Sequence, residues 1–172
     1  MIKVLHLDEN HEILENGLAK IGFKNVFDFK SNKKEIAKKI EKFHGLVIRS
    51  RIPIDEDLID HAKNLKFIAR VGSGTENIDI EYAKKRGITI LSAGEGNANA
   101  VGEHTLSLIL SLFNKIIKAN NEINNNIWQR EENRGIELEN KTVGIIGYGK
   151  TGKNFAKKLA GFNVKVLCND II

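Results

Sequence analysis

The chain has 172 residues, 41% hydrophobic and 28% charged, which bounds it to one globular domain or one and a fraction. The net charge of +5 comes from lysines scattered along the chain, so neither nucleic acid nor a membrane is called for as a partner. The single cysteine, Cys168, excludes an internal disulfide framework and is expected to be a small residue of a buried strand.

Met1-Ile2-Lys3-Val4-Leu5 runs at once into a charge-rich segment instead of opening a signal peptide, and the apolar run Leu106 to Phe113 is too short to cross a bilayer. A reducing cytoplasm is the expected setting.

Ile2 to Leu7 predicts a first strand with an acidic end, Asp8-Glu9. Ile13, Leu14, Leu18 and Ile21 repeat at helical spacing, and Gly22 is placed to cap that helix. A second strand is expected over Asn25 to Phe29. Ser31 or Asn32 caps the next helix, which carries Ile36, Ala37 and Ile40; Asn32 is the better placed, because Glu35 completes a capping box. Gly45 to Ile48 is the third strand. It ends in Arg49-Ser50-Arg51 and not in an aspartate, which excludes a phosphate-receiver domain. Asp55 to Ala62 reads as a helix and Leu65 to Val71 as the fourth strand. Asp79 caps a helix through Ala83 that Gly87 ends, and Ile88 to Leu91 is the fifth strand.

Strands and helices thus alternate at the spacing of a parallel sheet covered on both faces. Ligands of such sheets bind at the C-terminal strand ends. Arg49-Ser50-Arg51, Arg70 to Gly74 and the loop Ser92 to Asn99 collect there.

Asn97 to about Asn124 predicts one long helix, with Val101, Thr105, Leu108, Leu112 and Ile116 on one face, acting as a connector between domains. His104 inside it reads as structural. Asn124-Asn125-Asn126, Trp128, Arg130 and Arg134 form a polar arm, in which Trp128 either anchors a partner subunit or packs locally.

The densest signal comes last. Val143-Gly144-Ile145-Ile146 leads into Gly147-Tyr148-Gly149-Lys150-Thr151-Gly152, then a helix with Phe155, Ala156, Leu159 and Ala160 on one face, then a strand from Val164 to Cys168 ending at Asp170. This is the opening of a dinucleotide-binding βαβ unit. Gly147 permits the turn, Gly149 the approach of a pyrophosphate, and Gly152 close helix–strand packing. The helix N-terminus faces the phosphates. Asp170 is placed to accept a hydrogen bond from a ribose 2′-OH and to repel a 2′-phosphate, favouring NAD over NADP. Gly147 to Lys153 also fits the phosphate loop of triphosphatases, but Asn154 lacks the hydroxyl that such a loop offers Mg²⁺.

Taken together, Val47-Ile48-Arg49-Ser50, Ile68 to Asp79, Gly94-Glu95-Gly96-Asn97, Ala100 to Thr105, the fingerprint Gly144 to Gly149 and Asp170 make the chain similar to the N-terminal half of a D-isomer-specific 2-hydroxyacid dehydrogenase. The likeness covers nearly the whole chain and is strongest to the members that oxidise 3-phosphoglycerate in serine biosynthesis. It implies an α/β fold: a flavodoxin-like parallel-sheet substrate domain over residues 1–96, followed over 97–172 by a connecting helix and the incomplete start of a Rossmann NAD-binding domain. It implies hydride transfer between C2 of a small, phosphorylated 2-hydroxy acid and NAD. Arg49, Ser50, Arg70, Gly74 and Asn97 match substrate-side positions. Ser73, Gly147, Gly149, Lys150, Thr151, Gly152 and Asp170 match cofactor-side positions. No metal is implied, and the full-length protein is expected to be a homodimer formed mainly through its nucleotide domain.

The family's chemistry also needs an arginine that orients the substrate and a histidine paired with a glutamate. All three follow the glycine motif at a distance that places them beyond Ile172, the last residue of this sequence. No catalytic residue is therefore assigned, and turnover is not expected from the 172 residues alone. Two strands and one helix cannot bury their apolar faces, so the region after Asn140 is expected to be marginal without a covering partner. An NAD-sensing or corepressor-like binding module, or a truncated product without function, are the other readings.

Overall fold

In the computed structural model, which describes residues 1–171, the chain divides into two units, Met1–Gly94 and from Glu95 onward. Ile172, the position beyond which the catalytic arginine, glutamate and histidine are expected, lies outside the described residues.

The first unit runs β1 (Lys3–His6), α1 (Glu12–Lys20), β2 (Lys24–Phe27), α2 (Lys33–Ala37), β3 (Gly45–Ile48), α3 (Glu56–His61), β4 (Phe67–Arg70), α4 (Ile80–Lys85) and β5 (Thr89–Ser92). Its strands form one parallel sheet in the order β2-β1-β3-β4-β5, the flavodoxin-like arrangement. The capping signals set the helix starts. Asn32 Oδ1 accepts the Glu35 N–H at 3.1 Å while Glu35 Oε2 accepts the Asn32 N–H at 2.8 Å, closing the expected box. Asp55 and Asp79 cap α3 and α4. At Gly22, φ is +84°, and the Phe23 N–H reaches the Leu18 carbonyl at 3.0 Å, a Schellman ending for α1.

The core lies on one face of this sheet. Leu5, Leu7, Leu46, Ile48 and Ile68 meet Ile36, Leu58, Ile59 and Ala83 from α2, α3 and α4, and Ile40 from the 3-10 turn that follows α2. Each fully buried aliphatic side chain contributes about 1.5–3 kcal/mol. Among the described residues of this unit, α1 lies over the other face, beside Ala69 and Leu91, and buries no residue of its own. There, the cross-strand row His6, Val47, Ala69, Leu91 opens gradually, from 0% exposure at His6 and 1% at Val47 to 51% at Leu91.

The second unit holds most of α5 (Gly94–Phe113), then α6 (Ile116–Asn124), β6 (Thr142–Ile146), α7 (Lys150–Leu159) and β7 (Lys165–Asn169). The single long helix expected from Asn97 is a correction: it begins at Gly94 and breaks before Ile116. Lys115 takes a left-handed φ of 52°, and the Asn114 side-chain amide bonds back to the Leu110 carbonyl at 3.0 Å. The carbonyl freed on Phe113 accepts the Ile136 N–H at 3.0 Å, so the break receives the returning chain.

β6 and β7 pair in parallel, with Thr142 opposite Lys165 and Ile146 opposite Asn169. Ile145, Phe155 and Leu159 form a small core with Leu106, Ile109 and Val166 around it. Gly102 of α5 has backbone atoms of Asn154 and Phe155 3.1 Å from its ideal Cβ position, so the two helices touch through a glycine. The other face of the two-stranded sheet is open: Ile146 is 96% exposed and Leu167 52%. Cys168, expected to be buried, is exposed, although it lies on the same face as its buried ladder partner Ile145, because β7 is an edge strand with a neighbour on one side only.

Candidate functional site

Two clusters stand at the places where α/β sheets take ligands. In the first unit, Arg49 and Ser50 leave β3, Arg70 ends β4, and Ser73 and Gly74 follow it. The connections are pinned to each other. The Ile54 N–H donates to the Asn77 carbonyl at 2.8 Å and the Asp79 N–H to the Ile54 carbonyl at 2.9 Å, bringing the segments after β3 and β4 side by side. The Arg49 N–H donates to Asp8 Oδ2 at 2.6 Å, and the side chains of Arg49 and Ser50 are exposed.

Arg70 Nη1 donates to the Val71 carbonyl at 3.2 Å, but its Nε is buried with no partner. The guanidinium lies over Gly72, where a Cβ would stand 1.6 Å from Nη1. A cavity of about 300 Å³ opens beside Arg70 between Asn10, Ile13 and Leu14 on one side and Leu91 and Ser92 on the other. The sequence grouped Arg51 with Arg49 as cations at strand ends. The structure separates them, because Arg51 is spent on main-chain carbonyls.

In the second unit the glycine turn closes as its spacing predicts. Gly147 has φ +89°, and its N–H extends the ladder to the Asn169 carbonyl at 2.8 Å. Gly149 is the N-cap of α7 and carries no side-chain cap, so the first N–H groups of the helix are left for another acceptor. A Cβ on Gly152 would meet the Gly147 carbonyl oxygen at 2.1 Å and Ile145 Cγ2 at 3.3 Å. The expected packing role of Gly152 is thus a contact between turn and helix. The cradle fits a pyrophosphate: uncapped donors, no Cβ at the approach, and a positive dipole end.

Asp170 stands over the same turn, accepting the Tyr148 N–H on Oδ2 and the Ile171 N–H on Oδ1. Lys150 and Thr151 open α7, both exposed. Lys150 Nζ pairs with Glu95 at the start of α5, and this ammonium holds the Glu95 carboxyl below its usual value. Sequence reasoning did not find that pair, since nothing local links the two residues. Asn97 is exposed on the first turns of α5 instead of in a loop.

None of the five histidines hydrogen-bonds to a carboxylate among the described residues. His6 is fully buried and bonds through Nε2 to Asn25 Oδ1 at 2.9 Å; burial lowers its pKa. His11 caps α1, His44 Nδ1 accepts the Lys3 N–H, and His61 Nδ1 meets the Asp57 carbonyl. His104 is exposed on α5. Among the described residues, no group of His, Cys, Asp and Glu is placed to hold a metal ion, and no helix is long and apolar enough to cross a membrane.

Residues 2–166 match the family of the D-isomer specific 2-hydroxyacid dehydrogenase, catalytic domain. D-3-phosphoglycerate dehydrogenase of Archaeoglobus fulgidus is 37% identical over 139 residues, covering 81% of this chain and 26% of that protein. Its counterpart in Methanocaldococcus jannaschii is 34% identical over 170 residues, covering 99% of this chain and 32% of that protein. The NAD+-bound 3-phosphoglycerate dehydrogenase of Entamoeba histolytica superposes with a TM-score of 0.75 at 26% identity, over 99% of this chain and 54% of that one. The chain therefore spans about a third or less of the two curated relatives and about half of the solved one. With a match running through both glycine-rich segments, the chain belongs to the D-isomer specific 2-hydroxyacid dehydrogenase family.

Proposed function

We propose that this chain carries the substrate-facing loops and the pyrophosphate turn of an NAD-dependent oxidoreductase acting on the CH–OH group of a 2-hydroxy acid, with 3-phosphoglycerate, giving 3-phosphohydroxypyruvate, as the favoured substrate. The observation that carries it is the closed turn in which Gly152 meets the Gly147 carbonyl, leaving α7 uncapped beneath the Asp170 carboxylate.

In this reading the free donors of α7, with Lys150 and Thr151, bind the pyrophosphate. Asp170 takes the ribose hydroxyls, and Ser73 faces the nicotinamide side. NAD, when bound, supplies the hydride acceptor. Arg49, Ser50 and Arg70 hold the phosphate or carboxylate of the acid, because guanidinium forks pair with oxyanions. The orphaned Nε of Arg70 supports this, since a buried donor without an acceptor costs about 1–3 kcal/mol that an anion would relieve. Gly74, and separately Asn97, are the remaining substrate-side residues of this reading. No residue up to Ile172 is assigned the acid–base step, which needs a histidine held by a carboxylate. A homodimer belongs to the same reading and is supported by the apolar side chains left open on α5 and α6, Leu108, Leu112 and Ile117, and by Trp128.

Calorimetric titration of the chain with NAD and NADP tests the reading. Saturable NAD binding, lost in Gly149→Val, is expected; no binding of either dinucleotide would overturn the cofactor assignment. Binding with no oxidation of any 2-hydroxy acid, even after a segment carrying the acid–base histidine is supplied, would instead favour a nucleotide-sensing module.

A further inference from the structure

Two arginines leave β3 only two positions apart, and their bonds divide them. The guanidinium of Arg51 uses all three of its nitrogens on main-chain carbonyls: Nε on Leu7 at 2.7 Å, Nη1 on Ser31 at 2.7 Å and Nη2 on Asp28 at 2.8 Å. Leu7 is the exit of β1, and Asp28 and Ser31 lie in the connection from β2 to α2, so one side chain ties the ends of three neighbouring strands.

Arg49 shows the reverse arrangement. Its main chain is held on both sides, the N–H by Asp8 Oδ2 at 2.6 Å and the carbonyl by Asn77 Nδ2 at 3.3 Å. Its guanidinium is exposed and has no hydrogen bond or ion pair among the described residues. The contacts form a closed ring: Arg51 fixes Leu7, Leu7 precedes Asp8, and Asp8 holds the Arg49 N–H.

We infer that Arg51 is a positioning residue that fixes the exit of β1, and through Asp8 the Arg49 main chain, so that Arg49 alone of the pair is presented to the anionic group of the substrate. This rests on the reading of Arg49 as a substrate residue. The chemistry requires an arginine. A planar fork reaches carbonyls lying in three directions, whereas a lysine ammonium is a point charge on a flexible stem. The positive charge at position 51 is therefore not what matters to the ligand; the fork is.

The test uses the 172-residue chain and its variants Arg49→Gln, Arg51→Gln and Arg51→Lys. Each is titrated with 3-phospho-D-glycerate and with inorganic phosphate at several salt concentrations. Amide hydrogen exchange of residue 49 is followed by NMR. Arg49→Gln is expected to weaken 3-phospho-D-glycerate by about tenfold or more, the worth of one charge-assisted bond, and to flatten the salt dependence. Arg51→Lys is expected to weaken it by about five- to tenfold with the wild-type salt dependence, and to speed exchange of the Arg49 amide by about tenfold. Arg51→Gln should match Arg51→Lys; if it fails to fold, Arg51→Lys carries the comparison.

Wild-type affinity in Arg51→Lys would show that charge suffices and overturn the inference, as would unchanged protection of the Arg49 amide. If the wild-type chain takes up neither 3-phospho-D-glycerate nor phosphate, the substrate reading fails, and exchange at Arg49 decides the positioning role by itself.

Discussion

The carbonyl oxygen of Gly147 occupies the space a side chain on Gly152 would need: an ideal Cβ there lies 2.1 Å from it. Turn and helix therefore touch at a point where only hydrogen fits, and the uncapped end of α7 is held against the end of β6.

Gly152→Ala must push α7 away from the turn. The expected cost is about 1–3 kcal/mol in urea unfolding, with loss of dinucleotide binding. Gly149→Ala is the contrast, since nothing lies within 4 Å of its ideal Cβ. That variant should keep its stability and still bind NAD more weakly, because the added methyl meets only the ligand. Equal destabilisation in both would contradict the geometry.

Asp170 selects the dinucleotide in the proposed reading. Asp170→Asn keeps an oxygen for the Tyr148 N–H but removes the charge that repels a 2′-phosphate. The expected outcome is a fall in the NAD-to-NADP preference of about tenfold, read as a ratio of dissociation constants. An unchanged ratio would remove Asp170 from the specificity determinants.

Glu95 competes for the ammonium that the pyrophosphate would use. Glu95→Gln frees Lys150, and NAD should bind about two- to fivefold tighter at low salt, with the gain fading as salt screens the exposed pair. Lys150→Gln should weaken binding and cancel the effect of Glu95→Gln in the double variant. An additive double variant would show that the pair is not coupled to the ligand.

His6 sets an acid limit on the first unit. Its imidazole is buried, with Nδ1 unpartnered, and burial lowers its pKa from the ordinary 6.5. The unfolded chain then takes up a proton as pH falls through 6.5, while the folded chain resists until lower pH. Stability is therefore full above pH 6.5 and lost progressively below it. Asp28 titrates outside this window. Burial raises its pKa, but Lys39 and the N–H groups of Ser31 and Lys30 outweigh that and hold it below the ordinary 3.8. Urea midpoints from about pH 7.5 to about pH 5 should fall in the wild type and stay flatter in His6→Phe. Parallel curves would assign the loss elsewhere.

Local signals in the sequence were faithful where one side chain answers a neighbour a few positions away. Asn32 and Glu35, Asp55, Asp79 and Gly22 each end or begin a helix where their spacing says. Gly152 was also legible, because the fingerprint encodes a contact within one turn. Long-range contacts were not. The Lys150–Glu95 pair and the Arg51 bonds to Leu7, Asp28 and Ser31 join segments that only the finished sheet brings together. The break at Lys115 was hidden because the apolar repeat continues through it, from Leu112 to Ile116. Cys168 misled for a related reason: an apolar run reads as interior, yet burial is supplied by neighbouring elements and not by the run itself.

That exposed thiol gives the molecule a built-in attachment point. It is the sole cysteine, it is open to solvent, and it sits on β7 two positions before Asp170. A maleimide dye would therefore attach at one site without any engineered background, close to the proposed ribose end of the cofactor cradle. Its emission would follow dinucleotide uptake in real time, turning an edge strand without a second neighbour into a spectroscopic reporter.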